Sequence, residues 1–182
     1  MNIVPTWDLL IIILSVVIIA YSVIIGRNST AKVILSTYVA ILCADGLGNV
    51  LYYLGTNSSL GVGSMFFQGP EKIVMLKVVV MIAIVVAMML RGTFSVDLGE
   101  SGGFVDMGAL LVLGVLSAGL IVTSVLVFVS GGAFLSGGGL GATELAVNIY
   151  NSSQMANLMI SNSSFIIALP GLSFILMSWF TE

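Results

Sequence analysis

Met107–Val129 reads MGALLVLGVLSAGLIVTSVLVFV, 23 residues without a single charged side chain. At about 1.5 Å of rise per residue such a run makes a helix of roughly 35 Å, enough to cross a hydrocarbon core of about 30 Å. A soluble helix of this length would need a polar stripe. This one has only scattered Ser and Thr, which a helix can satisfy internally. The stretch therefore predicts a membrane-spanning helix, and the rest of the chain can be read against it.

Upstream, Ile73–Leu90 is a second apolar run, interrupted only by Lys77. Val33–Leu54 is a third, carrying Asp45 and Asn49, and Trp7–Ile25 is a fourth. The first run is a retained helix and not a cleavable signal, because its positive charge, Arg27, follows the run instead of preceding it. Between the runs lie Gly26–Thr30, a short polar break; Gly55–Pro70, rich in Gly and Ser, with Met65-Phe66-Phe67 placed to dip into the interface; and the acidic stretch Arg91–Asp106.

Composition agrees. Of 182 residues, 59% are hydrophobic and 7% charged, against roughly 25% charged in soluble domains. The net charge of −3 and the absence of any basic block give no grip on nucleic acid. There is no histidine, so a Cys/His zinc site and a histidine-based triad are excluded within one chain, and Cys43 is the single cysteine. No cofactor is expected.

Downstream of Val129 the pattern changes. Ser130–Thr143 is glycine-rich; within it Gly137-Gly138-Gly139-Leu140-Gly141-Ala142-Thr143 lacks the lysine of a phosphate-binding loop and reads as a flexible glycine loop. In Glu144–Ser164 the residues Asn148, Asn151, Ser152, Gln154, Asn157 and Ser161 recur at helical spacing. They stand opposite Leu145, Ile149, Ala156, Met159 and Ile160, which predicts one amphipathic helix at the membrane surface. Phe165–Phe180 is apolar, with Pro170-Gly171 in its middle; it is either a kinked fifth span or a segment that enters and leaves on one side. The expected fold is thus an all-α membrane protein, a single integral domain of four to five transmembrane helices with one amphipathic interfacial helix. Arg27, Lys32 and Arg91 border loops on one side, against Lys72 on the other, which places the N-terminus outside and, with five spans, the C-terminus in the cytoplasm.

Asp45, Asn49 and Lys77 are the polar residues most exposed to explanation. A charge at the middle of a span costs at least about 2.5–3.5 kcal/mol. Asn49 lies one turn from Asp45 on the same face. One reading makes them an ion- or proton-handling site; the other, favoured here, makes Asp45 a packed carboxylate bonded to neighbouring helices or the mark of a helix broken near Gly46 and Gly48. Lys77 either snorkels its ammonium to the interface, the favoured account, or pairs with Asp45. Ser36, Ala40, Ala44 and Gly48 repeat every four residues, and Gly114 with Ala118 and Gly119 with Thr123 form similar faces. These small-residue faces allow close helix approach, within the chain in the first instance and between copies in the second. Beyond the bilayer itself, the expected partners are a second copy or other membrane proteins. Asn28, Asn57, Asn151 and Asn162 begin Asn-x-Ser/Thr triplets but serve better as loop and cap residues, and the carboxylates of Asp97–Asp106 are too loosely spaced for a metal site.

Phe104-Val105-Asp106-Met107-Gly108-Ala109-Leu110-Leu111, followed by Gly114 and Gly119, resembles the colicin V production protein (CvpA) family, in which an acidic residue enters a glycine-spaced membrane helix. The opening from Trp7-Asp8, the turn at Gly26-Arg27 and Ser164-Phe165 before the last apolar segment are also similar. The chain departs from the family in its Gly26-Arg27-Asn28 turn and in having no charge in the fourth span. The resemblance implies a small bacterial inner-membrane protein associated with toxin production or export and envelope homeostasis, with no catalytic residue to carry over. Set beside it is an oligomeric channel or transporter subunit using Asp45 and Asn49. An enzyme comes last, for want of a positioned acid–base pair.

Overall fold

A computed structural model describes residues 7–57, 70–91, 96, 103–132, 134 and 144–180. These form seven helices: α1 Trp7–Ile25, α2 Arg27–Asn57, α3 Pro70–Arg91, α4 Gly103–Val129, α5 Glu144–Ser152, α6 Gln154–Ser161 and α7 Ser163–Phe180. Four of them, α1 to α4, are long and apolar enough to cross a membrane, and α6 with α7 makes a bent pair that passes the same test. The chain is an all-α, multi-pass membrane protein.

The core lies where α2, α3 and α4 meet. Ile34, Ala40, Ile41 and Ala44 of α2, Met81 of α3, and Leu113, Leu120 and Phe128 of α4 form one buried cluster. A second cluster joins Ile11 of α1 and Val122 and Leu126 of α4 to Ile149 of α5 and Ala156 of α6. Large apolar side chains elsewhere point outward: Ile13, Val16, Val17 and Ile24 of α1 and Met75 and Leu90 of α3 are all exposed. On a water-soluble protein so many would be an aggregation surface. On a membrane-spanning bundle they are the lipid face.

Several sequence expectations shift. Gly26–Thr30 is not a loop: a single residue, Gly26 at φ +85°, separates α1 from α2. Glycine alone takes that left-handed conformation cheaply. The polar residues after it become the first turn of α2, where Thr30 donates its hydroxyl to the carbonyls of Ser22 and Gly26 at 3.1 and 2.9 Å.

Glu144–Ser161 is two short helices and not one, broken at Ser153. The Ser153 hydroxyl accepts from Ala156 N–H at 3.0 Å and donates to the Asp8 carboxylate at 2.5 Å, and Met155 N–H also reaches Asp8, at 3.2 Å. A carboxylate at a helix N-terminus faces unpaired N–H groups and the positive end of the helix dipole. Asp8 thereby ties the start of α1 to the start of α6. The buried side of this segment, Ile149, Ser153 and Ala156, faces α1 and α4, while Asn148, Asn151, Ser152, Gln154 and Ser161 are exposed together with Tyr150 and Leu158. The apolar side expected to lie on the membrane is turned toward the protein.

The last segment, left open between a kinked span and a re-entrant one, runs through Pro170-Gly171 as one helix, α7; the bend, 65°, comes between α6 and α7 at Asn162. Met65-Phe66-Phe67, residues 97–102 of the acidic stretch and Gly137–Thr143 lie outside the described residues. Of the Asn-x-Ser/Thr positions, Asn28 and Asn57 fall within α2, Asn151 is exposed on α5, and Asn162 caps α6.

Candidate functional site

Asp45 and Asn49 occupy successive turns of α2, and α3 brings Lys77 alongside them. The Lys77 ammonium donates to Asp45 Oδ1 at 2.5 Å and to Asn49 Oδ1 at 3.0 Å. Lys77 is 1% exposed and Asp45 0%. The snorkelling account of Lys77 is therefore replaced by the pairing account. The physical reason is Gly48. It sits one turn after Ala44 on the small-residue face of α2, and its missing side chain leaves a slot that the lysine stem fills. A Cβ built there would come within 3.0 Å of Lys77 Cγ and Cδ. With the stem laid in that slot, the ammonium ends on Asp45 and not at the interface.

Two further elements close the site. The Phe128 ring of α4 lies 5.8 Å from the ammonium, within cation–π range. Beyond Val129 the chain turns back in a Schellman cap: Gly131, at φ +77°, donates to Phe128 O at 2.9 Å, and Gly132 donates to Val127 O at 2.9 Å. That reversal delivers Phe134 N–H to Asp45 Oδ2 at 2.7 Å and sets the Phe134 ring edge-on to Phe128, with centroids 5.2 Å apart. Both carboxylate oxygens thus accept strong donors, as a buried ionised carboxylate requires. The glycine-rich stretch after α4 thus supplies, through Phe134, a donor that helps seal the charge pair.

The small-residue faces are used inside the bundle. Ser36, Ala40, Ala44 and Gly48 are buried, as are Gly114, Ala118 and Thr123, while Gly119 is half-buried. Gly114 admits Ser22 of α1, whose hydroxyl meets that of Ser117 at 3.2 Å, and Gly119 admits Ile166 of α7. Close backbone approach is what such faces provide in lipid. Cys43 is exposed on α2, away from the site. Among the described residues no group of three or more His, Cys, Asp or Glu could hold a metal ion.

A cavity of about 250 Å³ opens between α1, α4 and α5, lined by Trp7, Leu10, Leu14, Val125 and Ile149 among others. All of its lining residues are hydrophobic, so it presents no group that would coordinate an ion.

The sequence signals divide clearly. Asp45, Asn49 and Lys77 were visible as polar residues inside apolar runs. The Schellman cap was also within reach, since Ser130-Gly131-Gly132 directly follows an apolar helix. Phe128 and Phe134 carry no such mark. Nor does Tyr38 of α2, whose hydroxyl donates to Ile167 O and accepts from Gly171 N–H at 3.1 Å across the Pro170 turn of α7. Comparison with protein-family models, with curated proteins and with solved structures gives no match.

Proposed function

We propose that this chain is a non-enzymatic bacterial inner-membrane protein of the CvpA type, a scaffold or accessory factor of the cell envelope associated with toxin production or export. The observation that carries the reading is the closed polar network: the Lys77 ammonium is engaged by Asp45 and Asn49, and the second Asp45 oxygen by Phe134 N–H. An ion path needs its polar groups presented to a water-filled cavity. Here they are turned on one another between α2, α3 and α4. Their role in this reading is to fix the register of the helices and so hold a defined surface for other membrane proteins or a second copy.

Purified protein in potassium-loaded liposomes tests this against the channel or transporter alternative. Expected is potassium and proton leakage equal to that of protein-free vesicles. Leakage above that level which disappears in Asp45→Asn would replace the scaffold with a transport pathway.

The orientation proposed with it has the N-terminus outside and the C-terminus in the cytoplasm, with α7 as the fifth span; its 18 residues reach about 27 Å. With Cys43 replaced and a reporter cysteine at Thr181, an impermeant thiol reagent is expected to label only after the cytoplasmic side is opened. Labelling of intact cells would make the last segment re-entrant.

A further inference from the structure

We propose that α7 is hinged at Pro170 and that the Tyr38 hydroxyl is the latch holding its distal half to the bundle. Proline has no N–H and its ring crowds the carbonyl one turn earlier, so a helix is weakened where proline sits inside it. Pro170 sits inside α7 and is buried. The carbonyl of Ile167 and the N–H of Gly171 are four residues apart, the pair that an undisturbed helix joins directly. The Tyr38 hydroxyl bridges these two groups, donating to one and accepting from the other. The Tyr38 hydroxyl, which belongs to a different helix, is thus bonded to both ends of one rung of the α7 ladder. A Cβ at Gly171 would stand 3.7 Å from that hydroxyl oxygen, an ordinary van der Waals contact, so the two helices lie close at this turn. The integrity of α7 at this turn is thus tied to its contact with α2.

Among the described side chains beyond the proline, most face outward. Leu172, Ile175 and Leu176 are exposed. Phe174 packs against the main cluster, as Ile167 does before the hinge. Ser173 donates to Pro170 O at 2.7 Å, a bond within α7 that holds the distal turn together without fixing it to the bundle. Exposed Leu172, Ile175 and Leu176, together with a backbone bond supplied from another helix, place the 171–176 segment toward the low-stability end of the fold. When the latch opens, the 171–176 segment swings as a unit about Pro170, and the face of α2 around Tyr38 is uncovered. That motion gives the C-terminal helix two positions without disturbing the Asp45–Lys77 pair.

Backbone amide exchange of the full-length protein in detergent micelles, read by mass spectrometry, tests the latch. Tyr38→Phe keeps the ring and removes only the hydroxyl. It is expected to speed exchange over 171–176 by about tenfold, on the scale of one or two hydrogen bonds, with α2 and α3 amides unchanged. Pro170→Ala restores the missing donor and straightens the ladder, so adding Tyr38→Phe in that background should change exchange by less than about threefold. Unchanged exchange in Tyr38→Phe, a uniform rise through the whole protein, or the same rise in the Pro170→Ala background would each overturn the proposal.

Discussion

Lys77→Met is expected to be the most damaging conservative-volume substitution in this protein, lowering the unfolding free energy by about 3–5 kcal/mol. The methionine stem fills the slot beside Gly48 much as the lysine stem does, so packing changes little. What changes is electrostatic. Asp45, with no exposed surface, keeps the Phe134 N–H but loses its cation. An uncompensated charge in a buried site costs several kcal/mol, whereas removing both charges is often neutral or stabilising. The double variant Asp45→Leu/Lys77→Met is therefore expected to recover most of the loss, despite carrying two substitutions. Unfolding in mixed micelles with the four proteins of the cycle gives the coupling directly. Additive losses would mean that Asp45 and Lys77 do not form a pair in the folded protein.

The same cycle bears on function. If the double variant folds but leaves the protein unable to hold its partners, the charges matter beyond register. If it folds and still supports the proposed envelope role, the pair is a packing device. Natural helices rarely carry a buried ion pair for net stability, since apolar residues do as well; the best-attested use is to specify one alignment over others. In a bundle whose core clusters are apolar and tolerant of sliding, the charge-assisted bond from Lys77 to Asp45 discriminates strongly against a slipped register of α2 on α3.

The spans themselves were legible because hydropathy over some twenty residues is an additive property that no tertiary contact reverses. What was not legible depends on the position of one helix against another. Whether Lys77 snorkels or pairs is decided by the register of α3 on α2, and no local pattern around Lys77 encodes it. Arg27–Thr30 looked like a loop because its residues are polar; a left-handed Gly26 reverses the chain in one residue and lets those polar groups form a first helical turn. Pro170-Gly171 looked like a break because the cost of proline is local, while the compensation comes from Tyr38, 132 positions away from Pro170 by number. The amphipathic pattern of Glu144–Ser164 was real, but a pattern shows only that one side is apolar. It does not show whether lipid or α1 and α4 cover it.

Gly48→Val is the second large effect expected, and the sign of its smaller counterpart, Gly48→Ala, can be inverted on purpose. In the intact protein a Cβ at this position would fall within 3.0 Å of successive carbons of the Lys77 stem, closer than real Cβ atoms approach. A long lysine on a surface would simply swing aside. Lys77 has no such freedom, because its ammonium is bonded to Asp45 and Asn49 and lies over Phe128. Either α2 and α3 separate or the ion pair breaks. Overpacking of this kind costs about 1–3 kcal/mol, and loss of the pair adds a buried unpaired charge on top of it. The smaller Gly48→Ala should show the steric part alone. In an Asp45→Ala/Lys77→Ala background the slot is empty, and the steric objection vanishes. Only the backbone preference then remains, and alanine favours a helix over glycine by about 1 kcal/mol. Gly48→Ala is therefore expected to destabilise the natural chain and to stabilise the doubly truncated one, measured as opposite shifts in the thermal unfolding of micelle-purified protein. Destabilisation in both backgrounds would show that Gly48 is required by some contact other than the lysine stem, and the account of how Lys77 is steered into the bundle would fail with it.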